Sequence, residues 1–170
     1  MQNSVRKLAL VILIASAVAA VANAQSDSSL CNDKLIKGVY GFTVVGDKLA
    51  GSLPIGPQVG VAMTEFFGDT PGTMQQIDSV TIDGVHLSHL TELPTQGSYT
   101  VNSNCTGSFT LNFTDGRPWV YADFVIVDNG NEIDTVVTGV SVDKGMTILP
   151  ALATRSIGKR RFTPLFEVLQ

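Results

Sequence analysis

Residues 36–46 read IKGVYGFTVVG, with glycines at 38, 41 and 46 set among aromatic and β-branched residues. In an extended chain Tyr40, Phe42 and Val44 share one face, while Val39, Gly41, Thr43 and Val45 share the other. Glycine inside a strand weakens it unless the chain must bend or another group comes very close. Small closed barrels need such bends in strongly coiled strands. Gly38 and Gly41 therefore read as corners on the first strand of a barrel, with an ordinary β-bulge as the other explanation.

Downstream the same alternation recurs between turn residues. Tyr99 and Val101 alternate with Ser98, Thr100 and Asn102, and Phe109, Leu111 and Phe113 alternate with Ser108, Thr110 and Asn112. A period of two marks half-buried strands. Asn102-Ser103-Asn104 joins these two strands as a hairpin, Thr114-Asp115-Gly116 joins the second to 118–127, and Asp128-Asn129-Gly130-Asn131 joins that to 132–140. Asp83-Gly84 marks a turn after 75–82. With 37–46, 57–67 and 144–154, about eight strands emerge in a meander, and no mature segment has helical periodicity. Such a meander removes its exposed edges by closing, so the expected fold is all-β: an antiparallel up-and-down barrel, with a β-sandwich as the alternative. The tail, 162–170, is read as a turn or a short strand.

The N-terminus carries Arg6 and Lys7, an apolar run from Leu8 to Val21, then Ala22-Asn23-Ala24, the pattern of a cleaved secretory signal. That run is shorter than the roughly 20 residues a membrane-spanning helix needs, which weighs against an anchor. Residues 1–24 are expected to be removed, leaving residues 25–170 as one domain of an exported, periplasmic or secreted protein. Cys31 lies too far past the run for lipid attachment, and no stable membrane insertion is expected after cleavage. The remaining chain has nine basic and fifteen acidic residues, a net charge of −6, which argues against nucleic acid and anionic membranes as partners. Arg155, Lys159, Arg160 and Arg161 cluster near the C-terminus, as a solvated edge that resists aggregation or as a docking site for an acidic partner.

Cys31 and Cys105 are the sole cysteines. In an oxidising compartment an isolated pair reads as a disulfide, here worth about 4 kcal/mol by loop-closure entropy. No histidine lies near either cysteine in sequence to activate a thiolate.

An N-terminal strand with glycine, any residue and an aromatic, an eight-strand meander and a late basic residue resemble the calycin superfamily, which includes lipocalins and avidins. Gly38-Val39-Tyr40 takes the place of the lipocalin Gly-x-Trp, with tyrosine for tryptophan. The resemblance implies that an arginine packs across that aromatic at the closed end, and Arg155 is the candidate. A second resemblance rests on Cys31, LIKGVYGF (35–42), GSYTVNSNCTGSFTLNF (97–113) and ADFVIVDNGNEI (122–133). These pieces are similar to a group of small exported bacterial proteins without assigned activity. Allene oxide cyclase-like barrels share the general architecture, which implies either a ligand-holding barrel or a cyclase-like isomerase.

Two carboxylates are candidate acid-base groups. Glu65 continues the phase of Val59, Val61 and Met63, and Asp123 lies among Tyr121, Val125 and Val127. Either would be costly and shifted in pKa if it faced an apolar interior; a bulge at Glu65-Phe66-Phe67, or a solvent-facing Asp123, returns them to water. His86 and His89 are three apart, with Asp83 and Glu92 nearby, but on a strand such positions face opposite ways, so no metal and no cofactor is expected. There is no GxSxG elbow and no Gly-rich phosphate loop. Asn104-Cys105-Thr106 and Asn112-Phe113-Thr114 match the glycosylation sequon, coincidentally for a bacterial protein.

The leading expectation is a non-catalytic exported barrel whose interior, lined by Tyr40, Phe42, Met63, Phe109, Leu111, Phe113 and Phe124, packs solid or binds a small hydrophobic ligand. The alternatives are an isomerase acting on a hydrophobic substrate through Glu65 or Asp123, and a surface interaction module.

Overall fold

The computed structural model describes residues 31–50, 54–87, 94–113, 117–141, 143, 145 and 147–161. The expected signal segment, the expected Asp115-Gly116 turn, His89, Glu92 and the C-terminal tail lie outside the described residues.

Among the described residues nine strands form one antiparallel sheet: β1 (Gly38–Lys48), β2 (Gly56–Phe66), β3 (Gly72–Ile82), β4 (Val85–His86), β5 (Thr95–Val101), β6 (Thr106–Asn112), β7 (Trp119–Val127), β8 (Glu132–Ser141) and β9 (Leu152–Arg161). Eight of them run in sequence order round a closed barrel, because β1 pairs with β2 on one side and with β9 on the other. The two-residue β4 is an extra strand on the end of β3. The barrel is compatible with a calycin-like fold, and the stacked sheets of a sandwich do not occur.

The turn residues act as expected. Asp83 and Gly84 take positive φ between β3 and β4, as do Asp128, Asn129 and Gly130 in the short 3-10 turn between β7 and β8. Gly38 begins β1 at φ +133°, a backbone state closed to most L residues. At Gly41 an added Cβ would meet the Arg161 side chain at 3.1 Å on the outer face. Glycine has another use across the strands. Phe42 lies over its register partner Gly158, and Phe124 over its partner Gly107. An added Cβ at either glycine would come within 2.3 Å of a ring carbon, so these aromatic rings occupy the space that glycine leaves.

The last strand corrects the sequence reading. It was expected over 144–154 but spans 152–161, so the basic cluster lies on the strand that closes the barrel. Pro150 has no N–H for a ladder, and Leu149 instead makes an isolated bridge with Val140.

One end of the barrel is plugged. The segment 31–37 crosses it, with Ile36 fully buried and Cys31 joined to Cys105 by a disulfide. Beneath it Tyr40, Phe66 and Tyr99 stack edge to face, at centroid distances of 5.5 and 5.0 Å. Side chains of this size stabilise by about 1.5–3 kcal/mol each when fully buried. Asp33 secures the plug: its Oδ1 accepts the Val101 N–H at 2.8 Å, and its carbonyl accepts the Tyr99 hydroxyl at 3.0 Å.

Candidate functional site

Above the aromatic plug the interior is not filled. A cavity of about 440 Å³ runs from Phe42, Phe66 and Met74 towards Lys48, Ile82 and Leu152 at the opposite end. Its wall is mostly apolar, with Ala62, Phe109, Leu111, Phe113 and Val120 among the contributors. The links β1–β2, β6–β7 and β8–β9 all lie at this second end, as the strand directions require.

Polar side chains interrupt the wall. On β2 and β3, Thr64 Oγ1 donates to Gln76 Oε1 at 2.9 Å, and Gln76 Nε2 donates to Asp78 Oδ2 at 3.3 Å. Arg117 Nη1 donates to Asp78 Oδ1 at 2.9 Å, and the guanidinium lies 3.9 Å from the centroid of the Phe113 ring. Asp78 is 7% exposed, so this ion pair stands in a partly dry environment where the two charges stabilise each other. On the opposite wall the Thr135 and Ser156 hydroxyls bond each other. Lys48, Gln58 and Thr154 line the cavity nearer its mouth, and burial holds the Lys48 amine below its ordinary pKa.

The residues expected to line the interior separate into three groups. Phe42, Phe109, Leu111 and Phe113 line the cavity. Tyr40 and Phe124 point inward but belong to the packed core at the plugged end. Met63 is a correction: on β2 the inner phase is Gln58, Ala62, Thr64 and Phe66, and Met63 faces outward. The valines at 59 and 61, which suggested the opposite phase, are exposed on the outer face. The same phase turns Glu65 outward, where it accepts from Gln75 Nε2 at 3.3 Å. Asp123 is exposed on the outer face of β7. Neither carboxylate reaches the cavity. His86 is exposed and bonded to Ser79 Oγ at 2.9 Å. Among the described residues no three His, Cys, Asp or Glu side chains converge as metal ligands.

The cation over the β1 aromatic is Arg160, not Arg155. Arg160 is the register partner of Tyr40, and its guanidinium carbon lies 5.3 Å from the Tyr40 ring centroid. Its Nε and Nη2 donate to the Tyr40 hydroxyl at 3.0 and 2.7 Å, and Nη2 also donates to the Leu35 carbonyl at 2.5 Å. The Tyr40 hydroxyl in turn donates to the Gly130 carbonyl. Arg155 is exposed, paired in register with Val45 and Val136. The error follows from placing the last strand too early.

Lys48, Gln58, Asp78, Arg117 and Thr154 carry no motif, which is why sequence reasoning passed over them. One signal was present. In Met74-x-Gln76-x-Asp78-x-Val80-x-Ile82 polar and apolar residues share one strand face, which neither a packed core nor a wetted surface needs.

No family model, curated protein or solved structure matches the chain.

Proposed function

We propose that the protein is an exported, non-catalytic carrier that holds a small hydrophobic ligand inside the barrel. The observation that carries this reading is the cavity of about 440 Å³, within the 300–1,000 Å³ typical of ligand pockets, sealed at one end and walled mainly by apolar side chains. A barrel built only for stability gains by filling such space, since cavities forgo packing contacts. Export is supported by the N-terminal signal pattern, by the Cys31–Cys105 disulfide, and by the resemblance to small exported barrels of the allene oxide cyclase-like type.

What favours a carrier over an isomerase is the placement of the acids. Glu65 and Asp123 face outward, and Asp78, the carboxylate among the described wall residues, is engaged by Arg117 and Gln76. Native mass spectrometry of protein purified from its own host is the direct test. A co-purified small apolar molecule, released on unfolding, is the expected result. A clean ligand-free mass, together with no binding of apolar probes, would overturn the reading.

A further inference from the structure

The mouth-side half of the cavity holds polar groups that its wall does not satisfy. Gln58 and Thr154 are 7% and 3% exposed, and neither Gln58 Oε1 nor Thr154 Oγ1 has a hydrogen-bond partner among the described residues. They flank Gly46 on β1, which is opposite Gln58 on β2 and opposite Thr154 on β9. Gly46 lets β9 come close to β1; an added Cβ would lie 2.3 Å from the Ala153 carbonyl oxygen and 2.9 Å from Thr154 Oγ1. Two residues further along β1 and on the same face, Lys48 lines the cavity at 6% exposure. No carboxylate among the described residues pairs with it, whereas Asp78 is already matched by Arg117. The described charged residues of the wall therefore leave one positive charge in excess.

Buried polar groups without partners are uncommon and costly, and a buried cation without a counter-charge is costlier still. Here the cost is concentrated on one side of an otherwise apolar cavity. We propose that Lys48 and Thr154, beside Gln58, form a head-group subsite that takes the carboxylate of an amphipathic ligand, whose apolar chain lies towards Phe42, Phe109 and Leu111. This rests on the carrier reading and extends it to a ligand class. Lys48 supplies the counter-charge and the Thr154 hydroxyl donates to one carboxylate oxygen, whereas Gln58 Oε1 only accepts and takes a proton from a water or hydroxyl beside the head group. A neutral alcohol of the same chain length satisfies the hydroxyl and the amide but leaves the lysine unmatched.

Isothermal titration calorimetry with decanoate, decanol and methyl decanoate tests this on the purified protein. Decanoate is expected to bind at least tenfold more tightly than decanol or the ester, and Lys48→Met to abolish that preference while leaving decanol affinity within about twofold. Lys48→Arg should restore most of it. Thr154→Val, close to isosteric, is expected to fold and to weaken decanoate several-fold more than decanol, so the subsite stays testable if Lys48→Met does not fold. Equal binding of decanoate and decanol by the wild type, or a preference unchanged in both Lys48→Met and Thr154→Val, would sink the subsite and leave the carrier intact. Binding of none of the three probes would remove the carrier reading, and the subsite with it.

Discussion

Arg160 faces Tyr40 directly across the seam where the last strand meets the first, and three of its contacts converge there: two on the Tyr40 hydroxyl and one on the Leu35 carbonyl. One side chain thus links the closing strand, the opening strand and the plug. Arg160→Met is expected to destabilise by about 2–3 kcal/mol, because a buried phenol and a plug carbonyl lose their charged donor. Arg155→Met, the exposed comparison, should stay within about 0.5 kcal/mol. Urea denaturation of both variants checks the contrast, and equal effects would contradict the assignment of Arg160 as the covering cation.

Burial pushes the Tyr99 phenol up to about 12; the Gly68 amide bonded to its oxygen opposes the shift, while Asp33, Asp69 and Tyr40 add to it. Burial also raises Tyr40, with Arg160 acting against it. A phenol whose pKa is higher folded than unfolded binds its proton more tightly in the native state, so this contribution is fully present below pH 10. It is lost as pH rises from about 10 to about 12, where the unfolded chain ionises first. The Tyr99 share is about 2–3 kcal/mol. Stability measured across that window should fall, and Tyr99→Phe should flatten the slope while lowering stability at neutral pH.

Asp78→Asn removes the carboxylate charge that faces Arg117 inside the barrel and is expected to cost about 3 kcal/mol. Replacing both partners, Asp78→Leu with Arg117→Met, should recover most of that loss, since paired removal leaves no uncompensated charge. A double-mutant cycle by chemical denaturation gives the coupling, and additive losses would show that the two side chains act independently.

Reducing the Cys31–Cys105 disulfide should lower stability by about 4 kcal/mol through the loop of 74 positions it closes. Cys31→Ser with Cys105→Ser should behave alike. The double variant should also protect the amides of residues 31–37 less well in hydrogen exchange, because the plug loses its covalent tie. Unchanged protection there would mean that Ile36 packing and the Asp33 bonds hold the plug unaided.

The barrel was legible because its turns are local: Asp83-Gly84 and Asp128-Asn129-Gly130 need positive φ, and the segments between them alternate. The strand ending was not, because Met146 to Ala153 is apolar enough to pass for strand, and the effect of Pro150 depends on where β8 lies. The cavity wall was harder for a physical reason. Alternation identifies an inner face when that face is greasy and the outer one wet. On β2 the contrast is reversed: Gln58, Gly60, Ala62 and Thr64 point in, while Val59 and Val61 point out. An unfilled interior does not select for bulk, so the pattern assigned Met63 and Glu65 to the wrong side.

The stapled plug makes the barrel a blind tube. On the carrier reading proposed above, a guest leaves only by retracing the route it took inward, so occupancy and dwell time are set at a single rim, while the sealed base is free to serve rigidity alone. Changes around that rim should alter exchange rates without disturbing the foundation on which the strands close.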